Sequence, residues 1–236
     1  MLIETETRLI HQDGWTFRVR PPSDAGSHHP VLVMLHGWTG DENSMWIFSR
    51  RLPGAYWKIA PRGPINAPEG GFGWIASPPG HPVSLADYKP VVDRLLVQLD
   101  RWARDQSLDT RSFDLLGFSQ GAFMVYALGL IYPERTRLLG ALAAYLPARW
   151  VDGIDLKGIR RKRFYLAHGT QDEIIPVEKA RETNQLLRTL GSDVTYCEAP
   201  IGHKLSAQCL NGLEDFFSQN ALSPANKRDQ PEKDPQ

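Results

Sequence analysis

The chain has little that would let it fold or act other than through a large hydrophobic core. Its two cysteines, Cys197 and Cys209, supply neither a disulfide framework nor a set of zinc ligands. A reducing cytoplasm is therefore the expected compartment, and no metal is expected. Net charge is absent, because 27 Lys and Arg balance 27 Asp and Glu. A dedicated nucleic-acid binder needs a basic surplus to displace counterions, so nucleic acid is not an expected partner. Long apolar runs are missing too. The longest, Gly121 to Tyr132, falls short of the ~20 residues that cross a bilayer, so no membrane insertion is expected. The start of the chain carries Glu4, Glu6, Arg8 and Asp13 where a signal peptide would need an apolar core. No Pro/Gly/Ser-rich linker divides it, and no repeat occurs. One domain over 1–220 is expected, large enough to bury its own core, with 221–236 as a disordered, proline- and charge-rich tail.

What is present is an alternation of buried strands and helices. Val31-Leu-Val-Met-Leu35 is a continuous apolar run, the pattern of a strand covered on both faces in a parallel sheet. Similar runs recur at Tyr56–Ala60, Phe113–Leu116, Leu138–Ala144 and Phe164–Ala167. Between them, Val91, Val92, Leu95, Leu96, Leu99 and Trp102 share one helical face, with Pro90 expected in the first turn. Further helices are read over Ala122–Tyr132, Val177–Leu190 (ending at Gly191) and Leu205–Phe217. This order predicts an α/β fold with a mostly parallel central sheet flanked by helices. Before it, Glu4–Ile10 and Trp15–Arg20 alternate around Asp13-Gly14, the signature of an N-terminal antiparallel hairpin.

The chemistry centres on Gly117-Phe-Ser-Gln-Gly121, between a strand and a helix. Glycines on either side of a serine permit a sharp strand-to-helix turn that lifts the hydroxyl above the sheet, making Ser119 the candidate nucleophile. A serine needs a base and an orienting acid, in this architecture on loops after later strands. Asp172 follows the strand Phe164–Ala167, and His203 follows the strand around Val194–Cys197, so the order Ser119, Asp172, His203 is the required one. Asp155 and Asp193 are weaker acids, since neither follows a buried strand, and Glu173 is expected to point away. His36 and His168 each end a strand as His-Gly and are read as loop braces. The oxyanion that forms in acyl transfer needs donors, and the main-chain N–H groups of Trp38 and Gln120 are assigned to it. Trp38, Phe72, Trp74 and Phe118 lie on loops near this site and are candidates to line a substrate pocket, with plain loop packing the equal alternative. The run Arg160–Arg163 reads as a solvated loop. Neither Tyr145–Arg163 nor the Pro- and Gly-rich stretch from Pro61 to Ser84 is suited to a helical lid, so an open site is expected.

At these residues the chain resembles the phospholipase/carboxylesterase family of α/β-hydrolases, which includes bacterial carboxylesterases and acyl-protein thioesterases. The resemblance rests on Leu35-His-Gly-Trp-Thr-Gly-Asp-Glu-Asn43, Ala60-Pro-Arg-Gly-Pro64 with Gly71-Phe-Gly-Trp74, Gly117-Phe-Ser-Gln-Gly121, Tyr145-Leu-Pro147, His168-Gly-Thr-Gln-Asp172 and Gly202-His203. It departs at Ile75-Ala76, where an aromatic and an aspartate are usual, and at Ala122, where glycine is common. It implies an α/β-hydrolase fold, a Ser119–Asp172–His203 triad with an oxyanion hole at Trp38 and Gln120, and hydrolysis of carboxylic esters without a cofactor. The open site with its apolar rim points to short-to-medium acyl esters. The expected partner is a small-molecule ester. A thioester or lysophospholipid substrate is the alternative on the same triad, and a non-catalytic ligand receptor is the distant one.

Overall fold

The computed structural model of the chain describes residues 6–23, 29–76 and 83–220. The tail expected at 221–236 lies outside the described residues. In chain order the elements are β1 (Arg8–Gln12), β2 (Trp15–Arg20), β3 (Val31–Leu35), α1 (Trp46–Ser49), β4 (Trp57–Pro61), β5 (Ile65–Asn66), β6 (Phe72–Gly73), α2 (Leu85–Asp105), β7 (Phe113–Phe118), α3 (Gln120–Ile131), β8 (Thr136–Leu142), β9 (Arg163–Gly169), α4 (Val177–Thr189), β10 (Asp193–Ala199) and α5 (Ala207–Asn220). Eight strands form one sheet in the order β1-β2-β4-β3-β7-β8-β9-β10, while β5 and β6 pair separately. From β4 onward the pairings are parallel, and β1-β2-β4 run antiparallel. The fold is that of an α/β-hydrolase with an N-terminal antiparallel hairpin.

Strand alternation builds two cores. Val31, Val33 and Leu35 of β3 face one side with α2 and α3, while Leu32 and Met34 face the other with α1 and α5. All five β3 residues are buried, which is why the run reads as continuous rather than alternating. The hairpin turns at Asp13 and Gly14, whose positive φ values of 47° and 76° suit the tight turn their types predict. Its first strand starts at Arg8 and runs on to Gln12, later than the alternation around Glu4–Ile10 suggests.

Pro90 departs from expectation. It is the sixth residue of α2, not part of the first turn, because Ser84 and Asp87 form a reciprocal capping box that starts the helix earlier. The missing Pro90 N–H would have met the carbonyl of Ala86, which lies on the exposed face where water can replace it. The connection from β8 to β9 holds only two single-turn 3₁₀ helices, Ala148–Trp150 and Leu156–Gly158. Among the described residues no helix is long and apolar enough to cross a membrane.

Candidate active site

Ser119, Asp172, His203, Trp38 and Gln120 sit at the carboxyl edge of the parallel strands, where the loops after β3, β7, β9 and β10 meet. Ser119 caps α3 with φ 52° and ψ −118°, a conformation that costs a non-glycine residue of order 1–3 kcal/mol. Its neighbours explain how the turn is tolerated. A Cβ at Gly117 would overlap the Gly121 carbonyl, and a Cβ at Gly121 would overlap that of Leu35. The two glycines are therefore demanded by backbone crossing backbone. The Ser119 N–H donates to Leu142 O at 2.9 Å, tying the turn to the end of β8.

Asp172 lies on the loop after β9 with its side chain fully buried. Its Oδ1 accepts the N–H groups of Ile174 and Ile175, both at 2.9 Å, and its Oδ2 accepts from His203 Nδ1 at 2.7 Å. Burial alone would raise the carboxyl's pKa. The bonds from Ile175, His203 and Ile174 outweigh it together and hold it below the usual carboxylate value. With Nδ1–H committed to Asp172, a neutral His203 carries its free lone pair on Nε2, where a general base needs it. The His203 ring packs against Phe118, the residue before Ser119, with centroids 5.1 Å apart. Among the described residues the Ser119 hydroxyl makes no hydrogen bond to His203, a contact that in such sites often forms only with substrate bound.

The loop after β3 runs directly over Ser119, since a Cβ on Gly37 would stand 3.3 Å from that of Ser119. No protein group among the described residues accepts the Trp38 N–H, and Gln120, first residue of α3, presents one of the helix's unpaired N–H groups. His36 is fully buried and braces this loop: Nδ1 meets Gly37 O at 2.7 Å, and Nε2 accepts the Gly63 N–H at 2.9 Å. Burial lowers its pKa, which keeps Nε2 unprotonated and able to accept. His168 is also buried, with Nε2 donating to Ile175 O at 2.8 Å and lying 3.3 Å from Asp172 Oδ2. Both histidines hold loops in place.

Of the proposed pocket residues, only Trp38 and Phe118 line the groove beside Ser119. Trp74 is fully buried; its indole N–H donates to His36 O at 2.7 Å and its ring packs on that imidazole. The Phe72 ring lies under the Arg62 guanidinium at 4.5 Å, and its N–H donates to Gly40 O. Phe72 and Trp74 are thus supports of the loop after β3, because β6 folds back beneath it. Two further supports were not anticipated. Glu42, almost fully buried, holds Arg62 through bonds of 2.6 and 2.9 Å. The Gln120 side chain accepts the Trp74 N–H at 2.8 Å and donates to Ile75 O at 2.9 Å. Glutamine inside the Gly-x-Ser-x-Gly turn is the sequence signal for this second support, since its amide can both donate and accept.

The cysteines require a correction. Cys197 of β10 and Cys209 of α5 form a disulfide, with Cα atoms 5.7 Å apart. The reversal from β10 into α5 brings them together, which sequence spacing could not disclose. Their bridge closes the loop that carries His203, and a disulfide is at odds with the expected reducing cytoplasm. Closing a loop of this size contributes about 3 kcal/mol in the chain-entropy account. Reduction should therefore lower Tm by roughly 6–12 °C for a chain of this length. Melting curves with and without a phosphine reductant check this; coincident curves would mean the cysteines are unpaired in solution. Among the described residues no cluster of His, Cys, Asp or Glu could hold a metal ion.

A model of the phospholipase/carboxylesterase family matches residues 88–221. Acyl-protein thioesterase 1 of Neurospora crassa is 26% identical over 118 residues, 48% of each chain. Its counterpart from Emericella nidulans is 30% identical over 118 residues, 48% of this chain and 49% of that one. The chain thus spans about half the length of these curated relatives. Among solved structures, the Bacillus cereus carboxylesterase aligns with TM-score 0.77 at 20% identity, covering 88% of this chain and 95% of that one. A Mesorhizobium loti carboxylesterase aligns with TM-score 0.75 at 20% identity, covering 90% and 98%. At that identity the likeness is one of fold.

Proposed function

The chain belongs to the phospholipase/carboxylesterase family, and on that premise we propose that it is a serine carboxylesterase acting on short-to-medium acyl esters. The observation that carries this reading is the 2.7 Å bond from His203 to buried Asp172, next to the Ser119 turn. Ser119 attacks the ester carbonyl while His203 Nε2 takes its proton and then returns it to the leaving alcohol. Asp172 holds the histidine in the tautomer that leaves Nε2 basic and stabilises the imidazolium. The N–H groups of Trp38 and Gln120 receive the oxyanion. Water repeats the sequence on the acyl-enzyme and releases the acid. No step calls for a cofactor.

The two thioesterase relatives favour a second reading, in which the same residues cleave an acyl thioester. A p-nitrophenyl acyl series from C2 to C16, run beside an acyl thioester and a lysophospholipid, separates the two. Highest kcat/KM on the shorter oxygen esters is the expected result. A thioester or lysophospholipid preferred tenfold or more would replace the esterase assignment. Turnover of none of them would remove the hydrolase reading altogether.

A further inference from the structure

We propose, on the esterase reading above, that the groove between the oxyanion loop and the start of α5 receives the leaving alcohol and selects esters of apolar alcohols. The groove encloses about 470 Å³, within the ~300–1,000 Å³ of small-molecule sites. Its inner end is lined by chain neighbours of the proposed reaction centre, while Ser119 and His203 themselves stand just outside the lining. Trp38 belongs to the oxyanion loop, Phe118 precedes Ser119, and Lys204 follows His203. The floor is apolar, built from Met45 and Phe48 on one side and Leu205 and Leu210 on the other. At the lip Ile47 is 75% exposed, a large apolar side chain that no protein group covers among the described residues.

Which half of the ester enters follows from the proton. The leaving oxygen must receive it from His203 Nε2, so the alcohol departs on the His203 side of the carbonyl carbon. On that side the chain runs from His203 through Lys204 and Leu205 into α5, and these residues form the groove wall. The acyl group, on the other bond of the carbonyl carbon, points away from it. The apolar floor has no buried charge and rewards methylene groups, while the polar lining is confined to exposed Lys204 and to the hydroxyls of Thr39 and Ser44, which already donate to Trp38 O and Asp41 Oδ1. The disulfide fixes this wall: Cys209 stands between Leu205 and Leu210 and is anchored to β10.

The test compares two ester series on the intact protein, acetates of ethanol to octanol and methyl esters of acetic to octanoic acid. Along the alcohol series kcat/KM should rise by up to about three- to fourfold per methylene until the groove is full. Leu210→Trp, which fills the groove, should cut the octyl-to-ethyl acetate ratio at least tenfold and leave the methyl octanoate-to-acetate ratio in place. Ile47→Trp, at the exposed lip where folding is not at stake, should shift the same ratio and only that one. Ratios are read because they cancel any loss of folded enzyme. If the acyl ratio falls instead, the groove holds the acyl chain and the inference is overturned. Unchanged ratios in both variants of an active enzyme overturn it as well. A wild type that hydrolyses no ester and takes no fluorophosphonate label removes the esterase reading, and this inference with it.

Discussion

Ser119→Ala should abolish fluorophosphonate labelling and lower kcat on p-nitrophenyl acetate by about 10⁴–10⁶. The size of the effect follows from the geometry of the turn. Only Ser119 occupies the point where β7 enters α3, with φ 52°, and the flanking glycines leave no room to shift a neighbouring hydroxyl into its place. Alanine keeps the Cβ, so the backbone strain is the same in both proteins and the fold should survive. Retained melting behaviour with lost labelling would locate the defect in the chemistry. Labelling of the variant at the wild-type rate would show that the nucleophile lies elsewhere.

Asp172→Asn should lower kcat by about 10⁴ with KM little changed. Asparagine can turn its amide N–H₂ toward His203 Nδ1, which then must accept, leaving the proton on Nε2 where the base is needed. The variant also separates Asp172 from the other acids. If it kept full activity while Asp155→Asn or Asp193→Asn lost it, the orienting acid would have to be reassigned. Its stability should depend on pH in a defined direction. The pKa of Asp172 is lower in the folded chain than its ordinary value, so its ionised form stabilises the fold. That contribution is complete above the unfolded value of ~3.9 and is lost as pH falls through the lower folded value. The wild type's margin over the variant should therefore persist at pH 5–7 and shrink below about pH 4, as read from melting curves. A margin growing toward acid pH would contradict the hydrogen bonds assigned to Asp172.

The features legible from the sequence were those set by short-range rules. A strand buried on both faces must be apolar at every position, so β3 announced itself. A serine lifted out of a strand-to-helix turn must have small neighbours where backbones cross, so Gly117 and Gly121 marked Ser119. Chain order then placed Asp172 and His203 on loops at the same edge of the sheet, and the structure joins these two by a hydrogen bond. The start of α2 escaped because a capping box outweighed the expectation for Pro90.

Contacts between distant segments were decided only by the tertiary structure. Nothing local to Trp74 tells whether its ring faces a substrate or a buried imidazole. The return of β6 beneath the loop after β3 settles it. Cys197 and Cys209 look unrelated along the chain until β10 turns back into α5. The groove beside His203 has walls from α1 and α5, separated by most of the sequence. Local chemistry determines which residues can react, because reactivity begins with a side chain and its turn. The packing of remote elements determines what can reach them, because a cavity has no representation in any single stretch of chain.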